Sequence, residues 1–336
     1  MTGRRIAVVG ATGAVGRTML SILEERDFDV SELRVMASAR SAGRSLSTKW
    51  GDVTIEDLSS ADPSDIDIAL FSAGGARSRE YAPRFVESGA VVVDNSSAFR
   101  MEEGVPLVVA GVNDAALQGH TGLIANPNCT TMALMMAAGP LHNRLGLVSM
   151  IVSSYQSVSG SGQQGVDELM GQIEALRSDV DSLIDGTWED PGSQVYARPI
   201  GFNVLPLAGN DVEHGYTDEE MKLVNESRKI LSAPDLLVEP TCVRVPVAVG
   251  HGISANLRFE EATTPEHATS ILNEAPGIEV WTDKVPTALD SAGIDDVLAG
   301  RIRPTLGEPG GINLWVVGDN LRKGAALNAV QIAELL

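Results

Sequence analysis

In Asn126-Pro127-Asn128-Cys129-Thr130-Thr131 a cysteine stands where a short apolar run gives way to a helical one. A thiol at a strand-to-helix junction feels the helix N-terminus, which favours the thiolate, the nucleophilic form. A solitary cysteine is more often a small buried hydrophobe. Asparagines and threonines make a poor apolar core, so a nucleophile is the better account of Cys129. The other cysteine, Cys242, lies in the apolar stretch Thr241-Cys242-Val243-Arg244-Val245-Pro246-Val247 and is taken as structural. An arginine among valines is costly unless it meets an anion, so Arg244 faces either a protein carboxylate or a substrate carboxylate. His251, between Gly250 and Gly252, is either a loop histidine or an acid/base partner for Cys129, a task that suits its ordinary pKa.

A second group of residues suits a nucleotide. Gly10, Gly13 and Gly16 follow an apolar run, and a turn of this kind lets backbone approach a pyrophosphate at a helix N-terminus. An enzyme using NAD would carry an acidic residue after the second strand, on the ribose 2′-hydroxyl. This chain has Ser38-Ala39-Arg40-Ser41 there, which favours a 2′-phosphate and hence NADP. Arg100, after Asp94-Asn95-Ser96-Ser97-Ala98-Phe99, is a further candidate. Glu219 and Lys222 fall one helical turn apart, for which a solvated ion pair is the default.

These residues need elements to hold them. Strands are expected over 5–9, 33–37, 66–71, 90–93 and 123–125, with helices over 17–25 and 78–88 between them. Such alternation means an α/β, Rossmann-type, doubly wound parallel sheet. After Cys129 the pattern changes: helices are expected over 130–142, 165–179, 217–231 and 265–273, and strands over 147–158, 243–249, 254–259 and 314–317. That mixture suits an α+β domain with an antiparallel or mixed sheet. The expected division is 1–128, completed by a C-terminal helix within 321–336, against 129–320. A long loop is expected over 184–199.

The chain has 336 residues, 43% of them hydrophobic, enough for two buried cores. A net charge of −20 argues against nucleic acid or an anionic membrane as partner, so anionic small molecules need locally gathered basic groups. Two distant cysteines without metal-ligand spacing suggest no disulfide framework and no metal, and with no targeting segment at the N-terminus a cytoplasmic location is expected.

Taken in order, GATGAVG from Gly10, SARSAG from Ser38, NSSAFR from Asn95, NPNCTT from Asn126, SYQSVSGSG from Ser154, FNVLP from Phe202, YTDEEMK from Tyr216, RVPVAVGH from Arg244 and WVVGDNLRKGAALNA from Trp315 resemble the aspartate-semialdehyde dehydrogenase family across essentially the whole chain. The resemblance implies that Cys129 is the acyl-thioester nucleophile, His251 the acid/base residue and Gln156 a residue that places the substrate. It further implies that Arg244 grips the substrate α-carboxylate, that Glu219 contacts its amino group, and that Arg100 and Lys222 bind phosphate, with Asn128 also at the substrate. Thr12, Gly13, Ala14, Val15, Arg40, Ser41, Ser159, Gly160 and Asn320 fall in the family's cofactor segments. The second domain would be catalytic and would build a homodimer or higher homo-oligomer. Backbone amides at the helix N-terminus would stabilise the oxyanion. The family's activity is NADPH-dependent reduction of L-aspartyl 4-phosphate, a small-molecule substrate, to the semialdehyde in lysine, methionine, threonine and diaminopimelate biosynthesis. One departure is the stretch from Leu207 to Gly215, where a hydrophobic-aspartate pattern would be expected. N-acetyl-glutamyl-phosphate reductase runs the same chemistry on a substrate without the amino group, and a non-catalytic paralogue is the alternative of another class.

Overall fold

The computed structural model describes residues 3–178 and 180–336. Met1, Thr2 and Asp179, the expected end of one helix, lie outside the described residues. Two compact units form: one from Met1–Gly139, Asn225–Pro234 and Leu321–Leu336, the other from Pro140–Val224 and Asp235–Asn320. The division falls inside the helix Cys129–Leu145 and again inside the helix Asp218–Ile230.

The first unit holds β1 (Arg4–Val9), β2 (Val30–Ala37), β3 (Ser45–Thr48), β4 (Gly51–Asp57), β5 (Ile68–Phe71), β6 (Val91–Asp94) and β7 (Leu123–Ala125). Their order is β3-β4-β2-β1-β5-β6-β7, with every pairing parallel except β3 with β4. Strands covered on both faces should be continuous apolar runs, and Ile68–Phe71 is buried at all four positions. Helix Ala14–Glu25 contributes Met19, Leu20, Ile22 and Leu23 to the core, and the C-terminal helix Leu327–Glu334 adds Leu327, Val330 and Ile332. The β3–β4 hairpin was not expected, because Ser45-Leu46-Ser47-Thr48 is polar and short. It pairs at the sheet edge and packs Leu46, Trp50 and Val53 on the same core.

The second unit holds β8 (Leu147–Gln156), β9 (Leu237–Arg244), β10 (His251–Phe259), β11 (Ile278–Trp281), β12 (Val297–Pro304) and β13 (Ile312–Gly318), ordered β11-β12-β13-β10-β8-β9 in a mixed sheet. Its inner face is set by register: Ile253 lies opposite Val316, Ala255 opposite Leu314, and Leu257 opposite Ile312. The strand expected over 243–249 runs earlier, over Leu237–Arg244. Pro246 has no N–H for a ladder, whereas Pro240 is tolerated because β9 is an edge strand. β11 and β12 were not expected, since β11 is only four residues long and β12 is interrupted by Gly300 and Pro304.

Candidate active site

Around Cys129, β7 ends and the next helix begins at Cys129 itself. Asn128 supplies the N-cap: its Oδ1 accepts from Thr130 N at 2.9 Å and Thr131 N at 3.3 Å. Its own N–H donates to Glu226 Oε2 at 2.6 Å. These three amides at the helix start therefore bond within the protein, and the Asn128 side chain, expected at the substrate, caps the helix. Cys129 is half-buried.

The other Glu226 oxygen pairs with Arg100 Nη1 at 2.9 Å, both side chains being almost wholly buried. Arg100 also donates through Nε to Asn126 O and through Nη2 to Asn95 O, each at 2.9 Å. A guanidinium has five N–H donors, and these bonds use three of them. Glu226 was missed by sequence reasoning. Its spacing from Glu219 and Lys222, seven and four residues, puts it on their helix face, and that was the available signal.

The glycine turn follows β1 where the strand order reverses, the usual ligand crevice of such sheets. Gly10 has φ +88°, and a Cβ there would strike Ser72 O; one on Gly16 would strike Gly10 O. Gly13 is the N-cap of helix Ala14–Glu25 and gives it no side-chain cap, so backbone amides face outward for an anion. Thr12 and Val15 are half-buried, while Gly13 and Ala14 are exposed. At the end of β2, Ser38 and Ser41 close a turn through Ser41 N to Ser38 O at 2.8 Å, with Arg40 exposed on it. A carboxylate unseen in the sequence, Asp57, lies in register with Ala37, where it accepts from Ser59 N at 3.1 Å.

In the second unit the topology brings three of the expected site residues to one end of the sheet. Gln156 and Arg244 end the parallel strands β8 and β9 side by side, and antiparallel β10 starts at His251 beside them. All three are buried. Arg244 Nη1 donates to Ser157 O at 2.7 Å and its guanidinium lies 5.7 Å from the Tyr196 ring centre, but its buried Nε has no hydrogen-bond partner. Burial, with Arg244 adding to it, pushes the His251 pKa down to about 3. Ser159 and Asn320, expected at the cofactor, are joined through Asn320 Nδ2 to Ser159 Oγ at 2.9 Å. Gly160 is exposed, and a Cβ on it would lie 3.2 Å from Arg244 Nη1 and 3.3 Å from His251 Nε2.

Glu219 and Lys222 differ from a solvated surface pair. Lys222 Nζ bonds Glu219 Oε1 at 2.5 Å and Asp218 Oδ2 at 3.0 Å, and Gln156 Nε2 donates to Glu219 Oε2 at 3.3 Å. Burial works against the Lys222 charge, but Glu219 and Asp218 outweigh it and hold the ammonium above its usual range. The unexpected stretch before this helix is pinned to it: Asn210 N donates to Asp218 Oδ1 at 2.6 Å, and Gly209 at φ +91° leaves no room for a Cβ beside Asp218. Cys242 is buried on the inner face, where desolvation pushes its thiol up to about 12. Among the described residues, no group of three His, Cys, Asp or Glu side chains is placed to hold a metal ion, and no helix is long and apolar enough to cross a membrane.

Known proteins match both halves of the chain. Residues 5–120 match the family model described as semialdehyde dehydrogenase, NAD binding domain, and residues 139–323 the one described as semialdehyde dehydrogenase, dimerisation domain. Aspartate-semialdehyde dehydrogenase of Mycolicibacterium smegmatis is 52% identical, covering 98% of each chain, and that of Bacillus subtilis 44%, covering 99% of this chain and 97% of its own. The crystal structure of Vibrio cholerae aspartate semialdehyde dehydrogenase II complexed with ASA superposes with a TM-score of 0.94 at 42% identity, over 100% of this chain and 98% of that one. With both domains and nearly the full length matched, the chain belongs to the aspartate-semialdehyde dehydrogenase family.

Proposed function

We propose that the chain reduces L-aspartyl 4-phosphate to L-aspartate 4-semialdehyde and phosphate through a thioester on Cys129, a step in making lysine, methionine, threonine and diaminopimelate. The observation that carries this reading is the buried Arg244 Nε with no protein partner, beside Gln156 and the Glu219–Lys222 pair. A buried, unsatisfied guanidinium N–H is costly, and a substrate α-carboxylate satisfies it with charge-assisted bonds. Glu219 then meets the substrate ammonium, a group that an N-acetylated substrate lacks.

The Cys129 thiolate forms a bond to the acyl carbon while the carbon–oxygen bond to phosphate breaks, and the phosphate leaves with that electron pair. Arg100 and Lys222 receive the phosphate. Gln156 and Arg244 orient the acyl carbon, converting a bimolecular encounter into a positioned one. Gly10, Thr12, Gly13, Ala14 and Val15 hold a dinucleotide pyrophosphate, with Ser159, Gly160 and Asn320 towards its nicotinamide. When bound, the dinucleotide supplies the hydride that turns thioester into aldehyde. Exposed Arg40 with Ser38 and Ser41 makes that dinucleotide NADP, because a guanidinium and hydroxyls can bind a 2′-phosphate dianion.

The chain works as a homodimer or higher homo-oligomer through its second unit, in the cytoplasm, where two thiols outside any disulfide are stable. The test is phosphate-dependent reduction of NADP and of NAD by aspartate semialdehyde, before and after alkylation of Cys129. Phosphate-dependent turnover lost on alkylation and at least tenfold better with NADP is expected. Turnover without phosphate, or surviving alkylation, removes the acyl-phosphate reading; equal use of NAD removes the Arg40 assignment.

A further inference from the structure

Inside the first unit Asn328, Asn126 and Asn95 form a relay whose direction is set by groups that can act in one way only. Asn328, wholly buried on the C-terminal helix, receives the Ala110 N–H on Oδ1 at 2.9 Å and Lys323 Nζ on the same oxygen at 3.1 Å. Its Nδ2 donates to Val108 O at 2.8 Å and to Asn126 Oδ1 at 2.6 Å. A backbone amide only donates and a carbonyl only accepts, so this side chain has one orientation. Asn126 is fixed in turn: with Oδ1 taken by Asn328, its Nδ2 donates to Ala325 O at 3.1 Å and to Asn95 Oδ1. The Asn95 amide therefore shows its oxygen to Asn126 and turns Nδ2 the other way. That Nδ2 is buried and, among the described residues, has no hydrogen-bond partner.

Leaving a buried donor unmet costs more than a typical hydrogen bond contributes, and an amide held in one orientation by two others does not flip to escape that cost. Asn95 directly follows β6, at the carboxyl ends of the parallel strands, where sheets of this kind bind ligands. With the pyrophosphate at the glycine turn after β1 and the adenosine end at the turn closed by Ser38 and Ser41 after β2, the other half of a dinucleotide runs away from β2. In the order β2-β1-β5-β6, the end of β6 lies two strands, about 10 Å, beyond β1, within reach of a nicotinamide riboside. The Asn95 main chain is held as well, since its carbonyl receives Arg100 Nη2 at 2.9 Å.

We propose that Asn95 is a dinucleotide-binding residue whose Nδ2 donates to an oxygen of the nicotinamide riboside, and that Asn328 is the positioning residue that fixes this donor through Asn126. Both roles rest on the dinucleotide reading above. The relay presents a donor and no acceptor, so it selects the oxygens of the carboxamide or ribose.

Binding is read by calorimetry on the intact chain with NADPH and with adenosine 2′,5′-bisphosphate, which keeps the adenine half and lacks the nicotinamide. Asn95→Asp keeps the oxygen that Asn126 needs and removes the donor, so NADPH should bind about tenfold more weakly while the bisphosphate binds as before. Asn95→Ala, which adds no charge, should show the same selective loss. Asn328→Asp keeps the acceptor for Ala110 N and Lys323 but has no donor for Asn126, and should also weaken NADPH alone; if it does not fold, Asn126→Asp breaks the relay one residue further on. NADPH affinity unchanged in the Asn95 variants overturns the donor role, and affinity unchanged in the relay variant overturns the positioning role. Equal weakening of both ligands overturns the assignment to the nicotinamide half. A parent chain that binds neither ligand removes the dinucleotide reading itself, and the role of Asn95 with it.

Discussion

Arg244 Nη1 binds a backbone carbonyl, while its Nε is buried with no hydrogen-bond partner. A lysine cannot reproduce a two-pronged grip on a carboxylate, so Arg244→Lys should lower kcat/KM by about 1.5–3 kcal/mol. A loss under twofold would make Arg244 structural. His251 gives a second expectation. The folded chain keeps this ring neutral down to about pH 3, whereas an unfolded one protonates near its ordinary value of 6.5. Acidification from 6.5 towards 3 therefore favours the unfolded chain, and stability rises with pH across that window. His251→Gln should flatten the fall of Tm on acidification; an unchanged slope would contradict the neutral, buried ring. The placement of Cys129 at a helix start and of Arg244 in a buried strand was legible in the sequence, because each is out of place, a thiol among asparagines and an arginine among valines. The bond from the Ser157 backbone N–H to His251 Nδ1, at 3.1 Å, was not, because almost any residue type possesses such an amide.

The helix Asp218–Ile230 is shared between units, and Glu226 lies in the part that belongs to the first. Its carboxylate joins the Arg100 guanidinium to the amide before Cys129, so it sets both the start of the nucleophile's helix and the arginine beside it. Glu226→Ala would leave a buried cation uncompensated and should cost about 3–5 kcal/mol. Thermal or denaturant unfolding measures this, and a loss below about 1 kcal/mol would mean that the pair is hydrated and marginal. Among acidic residues numbering 45, nothing in the sequence distinguishes this one except its helical spacing. The same limit applies to strands. β5, with four consecutive buried residues, was legible from its composition, whereas β9 was displaced by a proline whose meaning depends on whether the strand is central or at an edge.

The mixed sheet of the second unit has an outer face that alternates with its core face. Ile151, Tyr155 and Leu237 are 54%, 39% and 64% exposed there, and Tyr155 packs at 5.4 Å between ring centres with Trp315. Apolar residues on a sheet face suit burial against a second copy. Ile151→Glu should shift the chain towards monomer by sedimentation, because a carboxylate would be buried at the contact; an unchanged mass would place the contact elsewhere. The cysteines have a consequence for bench work with the folded molecule. Cys129 is half-buried at a helix start, while Cys242 is sealed in the sheet with its thiol raised to about 12. A native sample should thus take up one equivalent of a thiol reagent per chain promptly and the second only on denaturation. The ratio of the two counts is a stoichiometric tally of intact nucleophiles, available before any substrate has been added.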